Sequence, residues 1–235
     1  MNQLIVLEWK RNRMFPYHIA VMICGTVMLA FQYLMAAVPH IDPAEADIER
    51  FSSYDFLIGI NHIVCMAVFT ILASVMASRL MVEEYVGKRA VLLFSYPISR
   101  KKMVGAKLIL IFLYPVSSML LCGILIEGIF FLTESLFPFC AGHLTIETVW
   151  RALLSLLCHS LLAGLLGLIF SWVGFLKKSV PVTMVSAVIG VSLLCQVMAA
   201  GLSFYPVIFI ALGVTAIGAA IATKSVCDQV EKMEV

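Results

Sequence analysis

Six apolar runs, at roughly 17–38, 56–81, 104–133, 148–175, 180–200 and 203–223, constrain this chain more than any motif it carries. A helix crossing a bilayer needs about 20 consecutive apolar residues, and every run meets that length. The chain has 235 residues, 62% of them hydrophobic and only 13% charged. A soluble domain of this size has no interior able to hide so much apolar surface, so lipid is its expected solvent. The first run, Tyr17 to Val38, follows Lys10, Arg11 and Arg13 as a signal peptide would, but it exceeds the about 7–15 residues of a signal core. The expected fold class is all-α: one polytopic membrane domain with six transmembrane helices, a short N-terminal helix (1–15) lying along the membrane surface, a helical segment (82–102) between runs two and three, and a tail (224–235).

The placement of charge sets the expected orientation. Fourteen of the sixteen Lys and Arg fall at one set of run ends, and only Arg50 and Arg151 fall at the other. Basic residues stay on the cytoplasmic side, so both termini are expected there, in the cell membrane. No separate basic domain exists, which excludes a nucleic-acid partner. On the outer side, Asp42, Pro43 and Glu45 predict a short acidic helix. Phe137, Phe139 and Trp150 predict an interfacial loop over 134–147. Pro115 and Pro206 lie within runs three and six and predict kinks. The seven cysteines form no CxxC or Cys/His cluster and read as small packing residues. No internal repeat supports an inverted-repeat transporter.

Catalytic and energy-transducing motifs are absent. No GxxxxGK[ST] occurs, so the chain has no P-loop for ATP, and any ATPase belongs to another subunit. Glu83-Glu84 resembles one part of the intramembrane CAAX-type protease signature, EExxxR with FxxxH and HxxxN. Here Lys88 stands in place of the arginine, and none of Asn2, Asn12 and Asn61 has a histidine four residues earlier. The second half of that metal site is missing, and no metal or catalytic residue is expected.

Ionisable and amide groups inside apolar runs are costly and mark function or helix-to-helix adhesion. Asn61 and His62 in run two, Glu127 in run three and Gln196 in run five fall near the outer ends of their runs. They meet at one depth if those helices face one another, where His62 and Glu127 suit each other as partners. His159, with Ser155 and Ser160, lies closer to mid-membrane in run four. These five groups, Asn61, His62, Glu127, His159 and Gln196, are candidates for a substrate path. Small residues spaced by four, as at Ala163, Gly167 and Ser171, predict close helix contacts.

The segment 82–102 reads equally as a docking element or as an interfacial helix buried among lipid headgroups. Glu83 and Glu84 suit the positive end of a helix, Leu92, Leu93 and Tyr96 share an apolar face, Pro97 stops the helix, and Arg100-Lys101-Lys102 marks the membrane boundary. Glu83, Gly87, Leu92-Leu93, then Ser95-Tyr96-Pro97-Ile98-Ser99-Arg100 and Lys107, with six spans and an N-terminal helix, resemble the ABC-2 type permease family. The resemblance implies that residues 83–97 are a cytoplasmic coupling helix docking on a separate ATP-binding subunit. Glu83, Glu84, Gly87, Leu92, Leu93, Tyr96, Pro97 and Arg100 would make that contact. It also implies a second permease subunit, either a copy or a sister chain. ATP and magnesium would bind the partner subunit, and this chain would hold no cofactor. The implied cargo is amphipathic, such as an antimicrobial peptide. The competing reading is a non-transporting membrane anchor or immunity protein that senses or sequesters a ligand.

Overall fold

A computed structural model describes residues 2–12, 14–41, 53–85, 99–137, 140, 144–202 and 206–232. The helices are α1 (Asn2–Arg11), α2 (Phe15–Ile41), α3 (Tyr54–Ala77), α4 (Arg100–Leu136), α5 (Ile146–Lys177), α6 (Val180–Ala200) and α7 (Pro206–Glu231). No strand occurs among the described residues. Helices α2 to α7 are long and apolar enough to cross a membrane. All six expected spans are therefore present, with ends that differ in physically readable ways.

Pro206 is the first residue of α7 and not an interior kink. At that position its missing N–H costs nothing, because the first turn has no intrahelical acceptor to meet it. Helix α7 continues to Glu231, so residues 224–231 of the expected tail are helical. Arg100-Lys101-Lys102 forms the first turn of α4 and does not precede it. Pro115 does lie inside α4. Helix α5 starts where the Thr145 hydroxyl accepts the Thr148 N–H at 3.2 Å. It ends at Lys178, whose φ of 48° turns the chain sharply into α6. The acidic helix expected around 42–45 lies outside the described residues. So do Gly87, Leu92, Leu93, Tyr96 and Pro97 of the docking segment.

Two helices form the centre. Of the most apolar stretch of each span, 67% is buried in α3 and 61% in α5, against 17% in α2 and α7. The small-residue ridge explains that position. Ala163 and Ser171 are fully buried, and a methyl group placed on Gly167 would stand 2.7 Å from the Ala73 Cβ. Backbones of α3 and α5 therefore approach closely at Gly167, within one chain. Helix α4 packs against both, while α2, α6 and α7 flank them. The flanking helices turn Met22, Ile23, Val188, Leu193, Val214 and Ile217 outward. Those faces suit hydrocarbon, whose tails are as apolar as the side chains.

Candidate functional site

Two polar clusters interrupt this apolar interior. The first joins α1, the end of α3 and the start of α4. The last turn of the second span widens at Ser78–Val82, where Glu83 N–H reaches back five residues to the Ser78 carbonyl at 2.9 Å. Such widened turns release carbonyls from the regular ladder and recur at functional positions. Lys107 from α4, fully buried, donates to the Leu80 carbonyl at 2.9 Å and also pairs with Glu84. Glu84 pairs in addition with Arg11 of α1, which reaches Glu8 at 3.1 Å. Two carboxylates thus meet two cations at the end of a helix, where positive charge is favoured. Burial opposes the charge on Arg11, but the carboxylates of Glu84 and Glu8 outweigh it and raise its pKa. Burial, with Glu84 adding, pushes the Tyr85 hydroxyl up. The Lys107 ammonium stands 5.4 Å from the Tyr85 ring centre, within cation–π range. Trp9 packs on His18 and Tyr114, fastening α1 to α2 and α4.

The second cluster lies among α2, α3, α4 and α5. Gln32 accepts from the Asn61 amide at 2.5 Å. His62 stands 3.3 Å from Glu127 through Nε2 and 3.0 Å from the Ser155 hydroxyl through Nδ1. That hydroxyl lies 3.3 Å from His159 Nδ1, which also meets the Ser155 carbonyl at 2.8 Å. A continuous line runs from Glu127 through His62 and Ser155 to His159, and all but Ser155 are at most 3% exposed. The His62–Glu127 approach is within ion-pairing distance but not aligned as a hydrogen bond, so both Glu127 oxygens lack a hydrogen-bond partner.

The candidate residues divide accordingly. The structure brings His62, Glu127 and His159 together, pairs Asn61 with Gln32 of α2 and leaves Gln196 exposed on α6. Gln32, absent from the sequence-based set, takes the amide position beside Asn61. Glu83 is exposed, whereas Glu84 turns inward to its two cations. Arg100 begins α4. Arg11 and Glu8 were legible only as charges near a run boundary, and Lys107 as a boundary charge and a residue of the family resemblance. A further carboxylate, Glu134, accepts from the Tyr54 hydroxyl at 3.0 Å and the Cys140 N–H at 2.7 Å, closing the opposite end. Burial, then Glu134, pushes the Cys140 thiol up to about 12, so it stays protonated. No group of three His, Cys, Asp or Glu able to hold a metal occurs among the described residues.

Comparison with known proteins gives two matches. The model of the ABC-2 family transporter protein matches residues 6–193, which include both clusters and the segment between α3 and α4. An uncharacterized protein, YcbO of Bacillus subtilis (strain 168), is 29% identical over 215 residues, spanning 92% of each chain. No solved structure matches.

Proposed function

The chain belongs to the ABC-2 family of transporter membrane proteins, and from that premise we propose that it is the permease subunit of an ATP-driven exporter. The family match over residues 6–193 carries this reading. Energy comes from a separate ATP-binding subunit that holds ATP and magnesium, since the chain contains no P-loop. That subunit docks on residues 83–97 at the cytoplasmic face, with both termini on the same side. Leu92, Leu93 and Tyr96 supply the apolar contact, and Gly87, Pro97 and Arg100 shape and bound the helix. Closure of the ATP-binding subunits pushes this segment. The Glu84 pairs with Arg11 and Lys107 pass the push to α1 and α4. A second permease subunit, identical or sister, completes the path.

Asn61, His62, Glu127 and His159 line the path at the outer half of the spans, and Gln196 faces the second subunit. The cargo is amphipathic, such as an antimicrobial peptide. The test is co-purification from mild detergent. Leu93→Asp is expected to abolish recovery of the ATP-binding subunit while membrane insertion persists. Unchanged recovery would remove residues 83–97 from the docking surface.

A further inference from the structure

A cleft opens beside the second cluster, between α5 and the hairpin of α6 and α7. Its outer part, about 290 Å³, is walled by Leu154, Cys158, Ile208 and Phe209. Phe209 and Leu154 are 55% and 42% exposed, so this part opens sideways toward hydrocarbon. A smaller inner cavity of about 40 Å³ shares Arg151, Ser155 and Ile208 with it, and is bounded by Asp55 and His159. The cleft therefore has an apolar channel reachable from the membrane and a narrow polar end.

The polar end has a definite hydrogen-bonding sense. The Ser155 carbonyl can only accept, so in the neutral ring the His159 proton sits on Nδ1, 2.8 Å away. Nε2 is then a bare acceptor, and it has no partner although His159 is 1% exposed. A water or a ligand head in the cavity can bring it a donor. Charge points the same way. Arg151 is engaged by Asp55 at 3.4 Å and by Glu147, leaving one excess negative charge among these three groups. An ammonium group suits the unpartnered Nε2 acceptor and the Asp55 carboxylate that bounds the cavity.

We propose that this cleft binds a single-chain amphiphile with a primary ammonium head, its chain between α5 and α7 and its head among Asp55, Ser155 and His159. This deepens the exporter reading by naming a ligand class at the mouth of the proposed path. It rests on that reading only for the ligand being cargo, because binding needs neither ATP nor a partner. Occupation brings Nε2 of His159 the donor it lacks and sets the ammonium against the Asp55 carboxylate.

The test is photolabelling of the purified full chain in detergent with hexadecylamine carrying a mid-chain diazirine, mapped by peptide mass spectrometry. Adducts are expected on the peptides holding Leu154–Cys158 and Ile208–Phe209. Excess plain hexadecylamine should reduce them about tenfold, and equal hexadecanoate should not. Ile208→Trp, which fills the cleft, should abolish the adducts while gel filtration stays unchanged. Asp55→Asn should narrow the preference for amine over acid. Adducts spread evenly over the exposed faces of α2 and α7 would overturn the site. Equal displacement by hexadecanoate would overturn the ammonium head. Displacement by a lysine-rich amphipathic peptide, but not by hexadecylamine, would overturn the single-chain ligand in favour of a peptide. Because no transport is measured, a failed export assay and a failed labelling remain separate results.

Discussion

Glu84 is the residue on which the inner cluster turns, since it pairs with both Arg11 and Lys107. Removing its charge leaves the fully buried Lys107 ammonium without its paired carboxylate, beside the Leu80 carbonyl and the Tyr85 ring. Breaking a buried pair from one side costs about 3–5 kcal/mol, and the 17% exposure of Glu84 places Glu84→Gln at the lower end. A clear fall in melting temperature in detergent is expected, with partial recovery in Glu84→Gln/Lys107→Met, where the stranded charge is also gone. Equal melting of wild type and Glu84→Gln would show the pairs to be solvated. In the second cluster, Glu127→Gln keeps shape but removes the carboxylate from His62. If these groups line the path, export should fall while co-purification and melting hold. Loss of assembly instead would mark Glu127 as adhesion between helices. His62 and Glu127 were legible in the sequence because each breaks an apolar run at a similar distance from its outer end. Gln32 was not, because a lone amide gives no sign of which neighbour it meets. Lys107 was misleading in another way: counting charge places it at a membrane boundary, whereas it is buried and donates to the Leu80 carbonyl in the widened turn after α3.

At the scale of helices, the close crossing of α3 and α5 rests on side chains that are missing. Gly167→Val adds bulk where even a Cβ would stand 2.7 Å from Ala73. Overpacking of this kind costs about 1–3 kcal/mol, as the helices separate or the side chains leave their preferred rotamers. Lower melting temperature and lower yield in detergent are expected, and Ala73→Gly should restore part of both by returning the lost space. An unaffected single variant would mean that α3 and α5 do not approach at Gly167. Helix existence was readable throughout, since length and hydropathy suffice for a span. Ends were less so. Pro206 reads as a kink when the apolar run is taken to begin earlier, yet it starts α7, where proline is at home. The extension of α7 to Glu231 was invisible to hydropathy, because Val226 and Val230 bury a stripe on a segment that is otherwise polar. A stripe two residues wide leaves the mean hydropathy of that segment low.

Across the whole molecule, the uneven basic charge becomes sharper once pairing is counted. Arg151, one of two basic residues at the outer run ends, is held by Asp55 and Glu147, so its charge is largely compensated there. Lys101 at the other end pairs with Glu231 at 2.7 Å, but Lys10, Lys102, Lys177 and Lys178 remain exposed beside it in sequence or across the same face. The field that orients the chain during insertion is therefore one-sided, and the proposed orientation puts the turn between α5 and α6 on the cytoplasmic side. Labelling of intact cells with a membrane-impermeant maleimide tests this directly. Leu144→Cys, exposed just before α5, should react from outside. Lys177→Cys, exposed at the far end of the same helix, should react only after permeabilisation. Background from the native outer thiol is small, because Cys140 is buried and its pKa of about 12 keeps it protonated. The reverse labelling pattern would invert the molecule, put the segment after α3 on the outer surface, and remove any route by which a cytoplasmic ATPase could reach it.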